Sequence, residues 1–270
     1  HLDLPDGSRV GVTRAHMEED TGKTTHVGGG GGRIHGADHS LVDYNRAGVP
    51  LVEIVSEPDI RSSEQAKAYV NELRAILVAI GASDARMEEG SLRIDANVSM
   101  RRAGAPEYGT RAEIKNLNSV RSLGRALEYE VRRQVGLLEA GDTVVQETRH
   151  WNEDEGRTHT LRSKEEAYDY RYFPEPDLVD VVPDRAWVEG LRAGLPELPV
   201  DRRRRWMRDL GITHEDAEVL SEPVELADYF EAVAALADPK AAANWVRGEL
   251  RAQLRELGQE PWESNVTPGR

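Results

Sequence analysis

The residues most able to do chemistry lie between positions 86 and 118, where polar and apolar side chains alternate. From residue 92 to residue 101 the alternation has a period of two, and a shorter run of the same kind follows at residues 111–115. If the two runs pair as strands, one surface carries two carboxylates, an amide and an ammonium, contributed by Asp95, Asn97, Glu113 and Lys115. Mg²⁺ bridged to phosphate suits such a surface, because it takes oxygen ligands and keeps several waters. The alternative is a solvated sheet face with cross-strand ion pairs.

Two amphipathic helices must hold these strands. The first runs from residue 63 to residue 80, and the second from residue 117 to residue 139. The pattern of the second predicts a buried stripe of Val120, Leu123, Leu127, Val131 and Leu138. It places Arg121, Arg125, Arg132 and Arg133 on the solvent side. This helix begins directly after Lys115 and Asn116, so its positive N-terminal end favours an anion there.

Further strands flank this region. A hairpin is expected at residues 1–12, strands at 9–17 and within 40–59, and a hairpin of 143–151 with 157–163, in which Glu147 and Arg149 share one face. From residue 183 onward the pattern is helical, with segments at 187–193, 201–210, 214–220, 224–236 and 239–257. The predicted fold is therefore α+β: a mainly antiparallel sheet cradle backed by helices over 1–185, then a small all-helical domain over 186–270.

Composition narrows the class of protein. The 270 residues carry a net charge of −14, which argues against broad, sequence-independent binding of nucleic acid. There is no cysteine, so neither a disulfide framework nor a thiolate zinc site can form. With no membrane-length apolar run and no signal-peptide pattern, we expect a cytoplasmic protein.

Three short segments allow two interpretations each. The glycine run 28–32 is interpreted as a flexible surface loop, with phosphate binding as the alternative. The tyrosine- and proline-rich segment 167–178 is expected to be an ordered loop across the sheet. The basic run 202–205 is interpreted as a solvated helix face, with contact to RNA phosphate as the alternative.

Six phrases, in order and covering residues 9–178, resemble the GatB family of bacterial aspartyl/glutamyl-tRNA amidotransferases (GatCAB). They are HMEEDTGK, SLVDYNRAGVPLVEIVSEPD, RMEEGSLRIDANVS, GTRAEIKNLNS, QETRHW and DYRYFPEPDL. The helical remainder resembles that family more loosely. Members of the family have an earlier strand with further metal ligands and a later helical tail that contacts tRNA. Neither has a counterpart here, so we expect a fragment whose metal site is incomplete.

The resemblance implies an ATP- and Mg²⁺-dependent ligase within a heterotrimer. Such an enzyme phosphorylates the side-chain carboxylate of Glu or Asp mischarged onto tRNA(Gln) or tRNA(Asn). Ammonia then displaces the phosphate; it is released from glutamine by the amidase of the heterotrimer (GatA), whose third member is a small protein (GatC). Two other interpretations stay open: a non-catalytic scaffold that docks amidase and tRNA, and an ATP-dependent ligase acting on a free amino acid.

The resemblance also suggests a role for individual residues. Glu19 and Glu147 are the expected metal ligands, and His16 is expected to pack beside the metal rather than to bind it. The expected catalytic residues are Asp95, Glu113, Lys115 and Arg149. The expected contacts to ATP come from Asn97, Lys115, Asn116 and Arg149.

Overall fold

The computed structural model describes residues 1–28, 37–163 and 179–269. The chain divides into two compact units, His1–Arg61 and Ser62–Arg270. The predicted boundary near residue 185 stays a prediction. Most of the glycine run and the whole tyrosine-rich segment lie outside the described residues.

The first unit is built from paired strands. A hairpin of β1 (Leu2–Asp3) and β2 (Arg9–Val10) opens the chain, as predicted. The other described strands of this unit form a long two-stranded ribbon. In it, β3 (Val12–Glu19) pairs antiparallel with β6 (Pro50–Ser56), and β4 (Lys23–Val27) pairs antiparallel with β5 (His39–Asp43). Two backbone hydrogen bonds of Asp20, to Gly48 and Val49, join the two pairs. The sequence predicted strands that correspond to β3, β5 and β6, but neither β4 nor the nested pairing.

The second unit contains a four-stranded sheet in the order β10-β9-β8-β7. The strands are β7 (Ala96–Ser99), β8 (Arg111–Lys115), β9 (Glu147–Asn152) and β10 (Arg157–Ser163). Neighbouring strands are antiparallel except β8 and β9, which are parallel. The α+β class predicted from the sequence is confirmed.

Two long helices belong to this sheet, α1 (Ser63–Ala79) and α2 (Val120–Glu139). Both have serine N-caps, Ser62 and Ser119, whose side chains accept a hydrogen bond from the first turn. The buried face of α2 differs from the predicted stripe, since Val131 and Leu138 are exposed while Glu130 and Gln134 are fully buried. Polar residues on the buried side mislead a prediction based on hydrophobic spacing.

From residue 185 onward the described part of the second unit is mostly helical, and its core is apolar. The helices are α3 (Arg185–Ala193), α4 (Pro199–Arg205), α5 (His214–Leu220), α6 (Val224–Ala234), α7 (Pro239–Asn244) and α8 (Arg251–Glu256). π-helical turns at Trp206–Leu210 and Trp245–Leu250 follow α4 and α7. Trp206 and Phe230 pack edge to face with ring centroids 4.9 Å apart, at the centre of this core. In the part of the chain that is described, no helix combines the length and the apolar character needed to cross a membrane.

The basic run 202–205 is only partly a solvated face, because Arg204 is half exposed but its two predecessors are not. The side chains of Arg202 and Arg203 are only 12% exposed. Arg202 pairs with Asp228 and Glu231, and Arg203 pairs with Glu72 of α1. These contacts hold the helical part of the unit together and fix it to α1, which leaves little of this charge for RNA phosphate.

Candidate active site

A polar face forms on the side of the sheet away from α2. Asn97 of β7 is opposite Glu113 of β8, so both side chains lie on the same surface. Lys115 Nζ lies 2.6 Å from Asp95 Oδ2 and 3.8 Å from Glu113 Oε1, and so neutralises part of the charge of both carboxylates. The structure thus brings together the four residues that the alternation places on one surface, while their catalytic roles stay a prediction.

The parallel strand β9 adds two residues that the sequence analysis missed. Thr148 is opposite Glu113, and His150 is opposite Lys115. Thr148 Oγ1 donates a hydrogen bond of 2.8 Å to Glu113 Oε2. We name these residues the polar face: Asp95, Asn97, Glu113, Lys115, Thr148 and His150. Alternation along β9 separates Thr148 and His150 from their neighbours, but assigning them to this face requires the strand order and the parallel register.

Glu147 and Arg149 lie on the opposite surface of β9, towards α2. Both are buried, and Arg149 donates a hydrogen bond to the Glu147 carboxylate. Arg133 of α2 lies 3.7 Å from the same carboxylate. The two residues do share one face of β9, as predicted, but the structure does not bring them to the polar face. Their assignment to metal, phosphate and ATP stays a prediction.

Asn116 follows β8 and has a left-handed backbone conformation, with φ = 68°. Its Nδ2 donates a hydrogen bond of 3.0 Å to the carbonyl of Trp151 and lies 3.3 Å from His150 Nε2. Asparagine tolerates this conformation better than most residues. Asn116 therefore joins the end of β8 to β9 beside the polar face, and its contact with ATP stays a prediction.

The first unit carries a separate group of possible metal ligands. His16 and Glu18 alternate along β3, and Glu53 of β6 is opposite His16. One ligand atom from each lies within 4.8 Å of the others, close enough for one ion to contact all three. Glu53 also pairs with Arg14, at 3.3 Å.

Glu19 is the neighbour of Glu18 on β3, so it points to the other surface of the ribbon. Among the described residues, the group that could hold an ion contains Glu18 and not Glu19. It also contains His16, which was expected to pack rather than to bind. The period of two along β3 already places His16 and Glu18 on one surface. The third member, Glu53, is found only from the register between β3 and β6.

The carboxylates, the ammonium and the imidazole on these adjacent strands could bind a cation through oxygen and nitrogen atoms or an anion through the ammonium. Residues 2–189 match the family described as the GatB/GatE catalytic domain. The chain belongs to this family.

Three relatives are each named as the B subunit of an aspartyl/glutamyl-tRNA(Asn/Gln) amidotransferase. The protein of Frankia casuarinae is 56% identical over 265 residues, covering 96% of this chain and 52% of the relative. That of Carboxydothermus hydrogenoformans is 54% identical, covering 96% and 53%. That of Thermobifida fusca is 53% identical, covering 99% and 53%. The chain thus spans about half the length of the relatives that it matches.

Proposed function

We propose that this chain is the ATP-dependent part of a tRNA amidotransferase that converts mischarged Glu-tRNA(Gln) or Asp-tRNA(Asn) into the correct amide. The observation that carries the proposal is the family match over residues 2–189, together with relatives of that name at more than half identity. The polar face supplies suitable chemistry, because it combines carboxylate, amide and ammonium groups on one surface.

The reaction has two balanced steps. An oxygen of the substrate's side-chain carboxylate attacks the γ-phosphorus of ATP, and ADP leaves with the electrons of the broken P–O bond. Ammonia then attacks the carbonyl carbon of the acyl phosphate, inorganic phosphate leaves, and a proton from nitrogen passes to solvent or a base. Activation is needed because a carboxylate oxygen is a poor leaving group, whereas phosphate is a good one.

Lys115 is the best-placed residue to contact the transferred phosphate. Its ammonium lies 2.6 Å from Asp95 Oδ2 and 3.8 Å from Glu113 Oε1, so these carboxylates position it on the face to which the proposal assigns the phosphate. Asn97 and Asn116 supply amide donors to the nucleotide in this proposal. Glu147 and Arg149 lie on the other surface of β9, so their predicted roles in binding metal and ATP do not enter this arrangement of the polar face.

We assign the divalent cation to His16, Glu18 and Glu53. Two carboxylates and one imidazole leave coordination positions for water and phosphate oxygens, which is how proteins usually hold Mg²⁺. The donor set therefore fits the cation, and the imidazole also suits Mn²⁺ or Zn²⁺. When bound, the cation would supply positive charge at this group of the first unit. Glu19 remains an alternative ligand on the other surface.

The proposed partners follow from the reaction. Ammonia released from glutamine requires an amidase partner, and the family resemblance adds a small third protein that completes a heterotrimer. The substrate is a mischarged tRNA, so the reaction takes place in the cytoplasm where aminoacyl-tRNAs are made.

The test uses the full-length protein in its complex and measures ADP release and amide formation on Glu-tRNA(Gln). We expect both to require ATP and a divalent cation. Lys115→Met should lower kcat at least about 100-fold, as expected when a charge that stabilises the transition state is lost. The matched control is Lys23→Met, a lysine of the ribbon.

Three outcomes decide the proposal. Loss of ADP release in Lys115→Met with intact glutaminase activity supports it. ADP release at the wild-type rate shows that the polar face is not the site of phosphate transfer. Turnover on free glutamate without tRNA identifies an amino-acid ligase instead.

A further inference from the structure

Glu130 of α2 is a fully buried carboxylate surrounded by donors. Arg133 donates to both of its oxygens, at 2.9 and 2.6 Å, and Gln134 donates at 2.9 Å. From the sheet, Thr158 Oγ1 donates at 3.3 Å and Arg149 Nε lies at 3.5 Å. Together with Glu147, these residues form the buried charge network: Glu130, Arg133, Gln134, Glu147, Arg149 and Thr158.

The buried charge network connects α2 with three of the four strands of the sheet. Gln134 donates to the carbonyl of Val98 in β7, at 3.1 Å. Arg149 of β9 donates two hydrogen bonds to Thr158 of β10. The side-chain hydroxyl oxygen of Thr158 accepts one, at 2.7 Å, and its backbone carbonyl accepts the other, at 2.9 Å. These hydrogen bonds fix the distance of the strands from α2 and their register with one another.

Stability alone is a poor explanation for the network. Two carboxylates and two guanidiniums lose much of their hydration when buried, and replacing such groups with apolar residues of similar volume is often neutral or stabilising. Directional contacts do something that apolar packing does not: they specify the position of each strand. Two charged residues of β9 contact α2: Glu147 lies 3.7 Å from Arg133, and Arg149 lies 3.5 Å from Glu130.

The contacts that hold the α2 side of β9 also set the positions of the residues on its other side. Thr148 lies between Glu147 and Arg149 in sequence, and it donates to Glu113 on the polar face. His150 follows Arg149 and lies beside Lys115 in the register. A displacement of β9 towards or away from α2 therefore moves the hydrogen bond that orients the Glu113 carboxylate.

We propose that Glu130 is a positioning residue for the phosphate-transfer reaction, acting through Arg149 and β9 on Thr148 and Glu113. This inference rests on the proposed function. Glu130 is buried on the α2 side of the sheet, so its effect reaches the polar face through the sheet, and β9 is the strand that carries Thr148. Misplacement of a reacting group by about 1 Å lowers rates by about 100-fold, so small movements of β9 matter.

The test compares Glu130→Gln with Glu139→Gln, an exposed glutamate near the end of the same helix, in the full-length complex. Circular dichroism and glutaminase activity measure folding and assembly. We expect Glu130→Gln to lower kcat for ADP release at least about tenfold at a temperature where the protein remains folded, with KM for ATP changed less than about threefold. Glu139→Gln should match the wild type.

A purely structural role gives a different result, namely a lower melting temperature with wild-type kcat in the folded protein, and that result overturns the inference. If the wild type releases no ADP, the proposed function fails and the inference fails with it. If the wild type releases ADP and Glu130→Gln has the same kcat, the inference about Glu130 is wrong while the proposed function stands.

A double-mutant cycle tests the route through β9. If Glu130 acts on Thr148, the kcat loss of Glu130→Gln combined with Thr148→Val should be clearly smaller than the product of the two single losses. A loss equal to that product shows that Glu130 does not act through Thr148.

Discussion

Thr148 and Glu113 are joined by a 2.8 Å hydrogen bond across the parallel pair of β8 and β9. Thr148 is almost fully buried, and the Glu113 side chain is only 12% exposed. The sheet therefore imposes one orientation on the carboxylate and places the Lys115 ammonium within reach of it.

Thr148→Val removes the hydroxyl while keeping the shape of the side chain. Since the Glu113 oxygen then loses this donor in a partly buried place, we expect the free energy of unfolding to fall by about 1 to 2 kcal/mol. Urea denaturation followed by circular dichroism measures this. Thr110→Val, at an exposed position before β8, should change the unfolding free energy by less than about 0.5 kcal/mol. Equal effects of the two variants would contradict the contribution of the hydrogen bond.

Glu18→Gln and Glu53→Gln should each weaken Mn²⁺ binding at least about tenfold, because each removes a charged oxygen ligand. Electron paramagnetic resonance of the full-length protein titrated with Mn²⁺ measures the free ion. Glu19→Gln separates the two possible assignments, because only a ligand at position 19 makes this variant lose the ion. Glu107→Gln, an exposed glutamate in the second unit, is the control.

Arg203→Met breaks a buried ion pair and leaves Glu72 of α1 without its guanidinium partner. Removing one member of a buried pair typically costs about 3 to 5 kcal/mol, so we expect a large drop in the urea midpoint. Arg204→Met changes the neighbouring residue, whose side chain is half exposed and lies 3.6 Å from Asp201. This control should cost less than about 1 kcal/mol. If Arg203→Met lowers the urea midpoint as little as Arg204→Met does, the contact between α1 and α4 contributes little to stability.

The stability of the helical part should fall in acid because of Glu231. Burial by itself would raise the pKa of Glu231, but hydrogen bonds from Arg202, Trp206 and Arg205 outweigh it and lower the pKa to about 2. A lowered pKa contributes stability above the ordinary value of 4.5, and this contribution is lost as pH falls towards 2. Urea midpoints between pH 6 and pH 2.5 (roughly the window set by these values) should fall more steeply for the wild type than for Glu231→Gln. Parallel curves would contradict this assignment.

Two glycines should respond to alanine in opposite directions. A Cβ at Gly109 would lie 1.9 Å from the carbonyl oxygen of Met100, so Gly109→Ala must displace backbone and should lower the unfolding free energy by about 2 kcal/mol or more. Gly136 lies in α2 with open space around it, so Gly136→Ala should raise the unfolding free energy by about 0.5 to 1 kcal/mol. Thermal denaturation measures both, and a gain in stability from Gly109→Ala would refute the close approach.

Much of this fold is predictable from local patterns. The alternation around Asp95 and Glu113 predicts a polar face, and the serine caps and apolar spacing locate α1 and α2 within three residues. Pairing between strands that are distant in sequence is harder to predict. The period of two shows which residues of a strand share a face, but it does not show which other strand pairs with it. For that reason the sequence did not show that Glu147 and Arg149 face α2, or that Glu53 lies beside His16.

The buried side of α2 shows a second limit. Hydrophobic spacing assumes that buried residues are apolar, whereas the buried charge network places Glu130 and Gln134 in the interior. Arg133 was assigned to solvent for the same reason, although its side chain is only 19% exposed. Ion pairs between a helix and a sheet join residues that are distant in sequence, so the spacing of hydrophobic residues along the helix does not reveal them.

The balance of charge in that network constrains how the protein can change over generations. Glu130, Glu147, Arg133 and Arg149 contribute two negative and two positive charges in a place with little water. Any single neutral replacement among them leaves an unbalanced charge, which buried surroundings penalise. Lineages should therefore exchange these residues two at a time, one acid with one base, or keep all four.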